Sequence, residues 1–300
     1  MEKLKGDPLP WLLDPENPSI RYWTLVDILD RPTNDPEVQK ARAAISRQTL
    51  VKELFALQRP EGYWGDDETK PYTAQGAVTA LNLLYMLGVP PDKRTNAGCD
   101  SFLKFCQHES GGFSMTKKLR SGIFPCTTGS HLPFLVYFGL GDDPRVRSAF
   151  AFLIEEMSTD TALDCGRYQH RDCLWGAIAA LDGLAVLPTD IQSAQSKRVV
   201  ERLANALLDA EYDFEGENKR WLTFSVPRSW DLLNALKVLA THGYAHDPRS
   251  VSMLGLILSR QDEQGRWLCG SVSRTWPIEK RNQPSKWITL DALRVLKYIE

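Results

Sequence analysis

Two kinds of apolar pattern alternate along the chain. Residues 174–187, LWGAIAALDGLAVL, are apolar at almost every position, so a helix there must be covered on most sides. Residues 195–210, QSKRVVERLANALLDA, instead space their apolar positions three and four apart, the pattern of a helix that covers a neighbour with one face. Helices of the first kind are predicted near 19–30, 73–87, 127–138, 173–187, 228–241 and 286–299. Those of the second kind are predicted near 37–57, 95–106, 145–157, 195–210 and 249–260. Asp143-Pro144 and Asp247-Pro248 are start signals, an N-cap carboxylate followed by a proline in the first turn. The alternation predicts an inner ring of helices sheathed by an outer ring.

A repeat underlies the alternation. QRPEGYW from Gln58, QHESGGF from Gln107 and QDEQGRW from Gln261 share the form Gln-x-x-x-Gly-x-aromatic. The first two start 49 residues apart, and the third starts 154 residues after the second, close to three further periods. Degraded copies fall near EEMSTDTALDC and DAEYDFEGENKRWL. Aligning Leu181, Leu236 and Leu293 also aligns Ala180, Ala235 and Ala292, then Leu184, Leu239 and Leu296, and finally Trp175, Trp230 and Trp287. The expectation is a single all-α domain over residues 1–300, with about six helix pairs from 19 to 299 preceded by a short Pro-rich segment; such pairs close an α/α toroid or stack as an open solenoid, and spacing alone does not choose between them.

Composition narrows the function classes. With 43% hydrophobic and 25% charged residues the chain can bury a sizeable core. Its formal charge of −2 offers no footprint for nucleic acid. The start, with Pro8, Pro10, Pro15 and Pro18, reads as neither a signal peptide nor a transmembrane helix, and the longest apolar runs are too short to span a bilayer. Cytoplasm is the expected location. Six cysteines over 300 residues are not a dense disulfide framework, which leaves free thiols or a metal.

Gln-x-x-x-Gly-x-Trp at a period near fifty resembles the QW repeat of squalene and terpenoid cyclases, which protein prenyltransferase β subunits carry in related form. The resemblance covers residues 19–299 and implies the toroid. Within it, Gly62, Gly111 and Gly265 would take the left-handed conformation that ends an outer helix. Gln58, Gln107 and Gln261 would offer amides to unpaired helix-end groups, covered by Trp64, Phe113 and Trp267. The resemblance implies an isoprenoid-like apolar substrate. The cyclase acid motif Asp-x-Asp-Asp is absent; GDDE at 65–68 and GDDP at 141–144 are the nearest stretches, the second read as a helix cap. In prenyltransferases an Asp-x-Cys pair and a His from the next inner helix hold zinc, whereas here Asp172 adjoins Cys173 and FSVPRSWD contains no His.

A different ligand set follows from the repeat. PCTTGSHLPFL and DCLWGAIAALD align Cys126 with Cys173 and Gly129 with Gly176, two Cys-x-x-Gly starts on neighbouring inner helices. With Cys165 and His170 from the stretch before Cys173, they make a Cys₃His set suited to tetrahedral zinc. The competing reading is core thiols and an exposed histidine, the role assigned to Cys99, Cys106 and Cys269. Tyr22, Trp23, Tyr72, Trp175, Trp230 and Trp287 are expected to line an aromatic cavity for a small apolar or isoprenoid ligand, or else to pack between layers. Asp231 and His131 are the candidate catalytic acid and base, against the alternatives of a helix-start carboxylate and a core histidine. Lys280, Arg281 and Lys286 could meet an anionic headgroup or form a solvated loop beside Glu279. The functional expectation is a prenyltransferase- or squalene cyclase-like protein with zinc at the mouth of the inner ring. Its alternative is a non-catalytic binding or scaffold protein with structural zinc or no metal.

Overall fold

The computed structural model describes residues 4–114, 122–159, 163, 173–212, 221–226 and 230–299. Among the described residues, thirteen α-helices and four two-residue strands make the structure mostly helical. The residues divide into two compact units, each discontinuous in sequence.

One unit comprises 1–51, 86–89 and 211–300. It holds α1 (Leu9–Leu12), α2 (Pro18–Trp23) continued by a π-helical turn Thr24–Ile28, and α3 (Pro36–Ile45). The other comprises 52–85 and 90–210. Helix α4 (Thr49–Ala56) enters it, followed by α5 (Ala77–Met86), α6 (Lys93–Cys106), α7 (Pro125–Tyr137), α8 (Pro144–Glu156), α9 (Leu174–Leu184) and α10 (Ala194–Leu208). The first unit then resumes with α11 (Leu232–Thr241), α12 (Pro248–Leu258) and α13 (Lys286–Lys297). Its strands are β1 (Ser225–Val226) parallel to β3 (Ser271–Val272), and β2 (Trp267–Leu268) antiparallel to β4 (Pro284–Ser285).

The predicted helices appear with two local differences. The segment 37–57 is two helices, because the chain turns at Ser46–Gln48 and the Gln48 amide donates to Ser19 Oγ (2.7 Å) and to Ile45 O. The segment 19–30 changes to π geometry after Trp23, with Leu29 N donating to Thr24 O. There the Thr24 hydroxyl donates to Ile20 O, competing with the ordinary ladder.

Helix hairpins recur by the same chemistry in both units. After α7, Gly139 takes φ 90°, Leu140 N donates to Leu135 O, and Asp143 accepts from Arg145 N to start α8. After α11, Gly243 takes φ 88°, Tyr244 N donates to Leu239 O, and Asp247 accepts from Arg249 N to start α12. The left-handed residue satisfies helix-end carbonyls and the aspartate satisfies helix-start amides. Asp143 of GDDP is therefore a cap.

The three Gln-x-x-x-Gly-x-aromatic stretches also fold alike. Gln58 bridges to Trp64, Gln107 to Phe113 and Gln261 to Trp267, and the three glycines have φ of 95°, 93° and 70°. Trp64 and Trp267 are fully buried, and their indole N–H groups donate to Leu54 O (2.7 Å) and Ile257 O (2.8 Å) in the last turn of the preceding helix. The tryptophan thus serves the helix end in the first and third copies, and in the third the Gln261 amide also donates to Leu258 O (3.0 Å), the last residue of α12, as expected of the glutamine. The Gln58 and Gln107 amides instead tie the turn's own glycine carbonyl to Arg94 O or Arg145 O in the first turn of the next helix. In the third copy Lys5 and Gly6 take the place of that helix. Lys5 N donates to Gln261 Oε1 (2.8 Å), and Gly6 backs onto Gly265.

Within its unit α9 packs closely on α7. A Cβ at Gly129 would stand 2.3 Å from Ala179 O, and one at Gly183 would stand 2.8 Å from Gly129 O. Pro133 has no N–H to donate to that Gly129 carbonyl, and the close approach of Gly183 covers it. The aligned residues Ala180, Ala235, Ala292, Leu181, Leu236 and Leu293 are all buried, as the repeat predicts.

Candidate functional site

Two cysteines of the proposed zinc set fall within the described residues. Cys126 lies in the first turn of α7 and Cys173 is the N-cap residue of α9; both are outside any disulfide and of intermediate exposure. Cys165 and His170 lie outside the described residues. The helices carrying the two thiols touch at Gly129 against Ala179 to Gly183, beyond Gly176, the residue aligned with Gly129 in sequence. Among the described residues, no three His, Cys, Asp or Glu side chains group as metal ligands. The described residues alone thus offer two of the four soft donors.

Around the start of α7 rings and thiols pack into a buried cluster. Buried His131 packs against Tyr72, Phe102 and Phe134, with ring centroids 5.6, 5.4 and 5.6 Å away, and its Nδ1–H donates to Thr127 O. In the neutral ring this assigns the proton to Nδ1 and leaves Nε2 as the acceptor. The Tyr72 hydroxyl is buried beside the Cys106 sulfur, outside conventional hydrogen-bond geometry. Burial pushes it well above its ordinary value, and the Cys106 and Cys126 thiols add to the shift. Burial likewise drives the Cys106 and Cys99 thiols far up, so both are unreactive core groups. Cys269 is buried too, its Sγ donating to Ser271 O.

Asp231, 3% exposed, is the N-cap of α11, and its Oδ1 accepts from Asn234 N at 2.9 Å. The carboxylate thus has a structural task, the alternative weighed for it. Asp67 of GDDE is held down to about 2 by the Thr69 hydroxyl, the Thr69 amide and Lys70, and stays ionised at neutral pH.

The repeated tryptophans differ in burial. Trp287 is 9% exposed in the first turn of α13, whereas Trp175 and Trp230 are half-buried. Tyr22 is buried with Trp23 edge-on at 4.8 Å, and the Trp23 indole donates to Met86 O.

A cleft that the sequence reading did not single out lies in the first unit, lined by Trp11, Arg266, Pro277, Ile278, Glu279, Lys280, Gln283 and Pro284, with a volume of about 480 Å³. Trp11 carries Arg266 and Lys286 over its ring, 5.3 and 5.4 Å from the centroid. Lys286 is paired with Asp14 at 2.8 Å, and Arg281 Nε donates to Gly270 O. Of the three cations expected there, only Lys280 lines the cleft. Glu279 Oε1 accepts from Ser285 Oγ (3.1 Å) and Trp287 N (3.3 Å), and burial raises its carboxyl above the ordinary value. Trp11 escaped the sequence reading because its partners are some 255 residues away, and no local pattern announces such a contact.

Compared with known protein families and with curated proteins, the chain matches none. Its site is therefore read from its own residues. Among the described residues, no helix is long and apolar enough to cross a membrane.

Proposed function

We propose that the chain is an α/α toroid similar to terpenoid cyclases and prenyltransferases, and that it acts on an apolar, isoprenoid-like ligand, with zinc held by Cys126, Cys165, His170 and Cys173. The observation that carries the reading is the recurrence of one fold in the three Gln-x-x-x-Gly-x-aromatic turns, the third seated on Lys5 and Gly6 from the start of the chain. A third copy that packs on residues preceding the first repeat, Lys5 and Gly6, suits a closed ring better than an open solenoid. Two partly exposed cysteines outside any disulfide, at the starts of packed helices, support the metal, because cysteine sulfur is a soft donor suited to zinc.

A second reading, a non-catalytic binding or scaffold protein, is favoured by Asp231. Its carboxylate is engaged as a helix cap, which weakens its candidacy as a catalytic acid.

Elemental analysis of protein purified without added metal, and again after zinc reconstitution, tests the metal. About one equivalent of zinc per chain, lost in Cys173→Ser with the helical content unchanged, is the expected result for a single four-ligand site. A metal-free reconstituted wild type would overturn the zinc. Titration with farnesol, read by tryptophan fluorescence, tests the ligand class; a flat titration on metal-replete protein favours the scaffold.

A further inference from the structure

The cleft between α1 and the loop leading into α13 combines three chemistries on one wall. Trp11, Ile278, Pro277 and Pro284 are apolar, Arg266 and Lys280 are cationic, and Glu279 is anionic.

Arg266 is held in place for recognition. Its Nε donates to Asp262 Oδ2 and its Nη2 to Gln264 Oε1, both at 2.9 Å, which fixes the guanidinium against Trp11. Its Nη1 makes no hydrogen bond among the described residues, and neither does the Lys280 ammonium. Glu279 is held equally firmly, by Ser285 Oγ and by the backbone amides of Lys286 and Trp287 at the start of α13. Three donors on a carboxylate with about four lone-pair sites leave acceptor capacity on the cleft side.

A purely anionic ligand would satisfy the cations but press its charge on Glu279, and a purely apolar one would cover Lys280 and Glu279 without a charged partner, Arg266 keeping its pair with Asp262. A molecule with both charges answers every group. We propose that this cleft binds a small amphoteric molecule of the α-amino-acid type. Its carboxylate meets Arg266 and Lys280, its ammonium meets Glu279, and its apolar body lies on Trp11 and Ile278. A volume of about 480 Å³ accommodates such a ligand. Every lining residue belongs to one compact unit, so the proposal does not depend on the toroid or on zinc.

Calorimetric titration of the full chain with L-leucine and L-phenylalanine tests it, with N-acetyl-L-leucine, L-leucinamide and inorganic diphosphate as comparisons. The expected result is binding of the free amino acids, with each blocked derivative weaker by about tenfold, the loss of one charge-assisted hydrogen bond. Glu279→Gln should abolish the preference over the N-acetyl compound, and Lys280→Ala should reduce the preference over the amide, Arg266 still meeting the carboxylate. The blocked derivatives on wild-type protein keep the test decisive if Glu279→Gln fails to fold. Diphosphate binding as tightly as leucine would reveal an anion site and overturn the proposal, as would silence of every amino-acid probe on folded protein.

Discussion

At the scale of single residues, glycine does two different jobs. Gly111 and Gly139 have nearly the same φ, 93° and 90°. A Cβ on Gly111 would stand 2.5 Å from Ser148 O, whereas one on Gly139 would meet nothing within 4 Å. Gly139→Ala should therefore cost only the left-handed backbone, about 1 kcal/mol. Gly111→Ala adds a clash with backbone that cannot step aside, for a total of about 2–4 kcal/mol. Urea denaturation of the two variants checks this, and equal midpoints would show that the turn is not wedged against α8. The recurrence of glycine was legible in the sequence; which glycine has a backbone against it was not, since Ser148 is 37 residues away.

At the scale of elements, the repeat is a unit of hydrogen bonding as well as of pattern. Trp64 and Trp267 each reach back ten residues to a last-turn carbonyl, a bond that Phe113 in the middle copy cannot make. Trp267→Phe keeps most of the buried ring but leaves Ile257 O without the indole donor, and the expected loss is about 1–3 kcal/mol. Trp64→Phe should lose a similar amount through Leu54 O. Thermal unfolding of both variants is the check, and a loss confined to one of them would mean that the copies are alike in shape but not in energetics. Helix starts and ends at Asp143, Asp247, Gly139 and Gly243 could be read from sequence because capping is local chemistry. The break at Ser46–Gln48 could not, because it follows the Gln48 amide reaching Ser19 on another helix.

At the scale of the whole molecule, each compact unit is assembled from distant stretches. In the first, Arg294 of α13 donates to Asp27 Oδ2 (2.8 Å from Nε) in the π-helical turn and to Asp291 Oδ1 (2.7 Å), and Lys237 of α11 pairs with Asp291 at 3.2 Å. Burial alone would raise the Asp291 carboxyl, but Lys237 and Arg294 overcome it and hold the carboxyl below its ordinary value. Arg294→Ala strands Asp27 and weakens the hold on Asp291. With these side chains retaining about a quarter of their exposure, the expected loss is about 2–3 kcal/mol, less than for a fully buried pair. Guanidinium denaturation is unsuitable because the denaturant screens ion pairs; urea at low salt should report it, and an unchanged midpoint would reduce the network to surface decoration.

What the sequence by itself determined is the part ruled by neighbours along the chain. Helix periodicity, capping aspartates and the glycine-centred turns follow from contacts within about ten residues, and they recur because the sequence does. The tertiary structure alone decided the roles of individual side chains: Cys106 beside the Tyr72 hydroxyl, and Trp11 in a charged cleft with Arg266 and Glu279. Those roles depend on burial and on partners tens to hundreds of residues away. A side chain's charge, accessibility and reactivity are set by its surroundings in space, and a periodic pattern specifies which residues turn inward without specifying what they meet there.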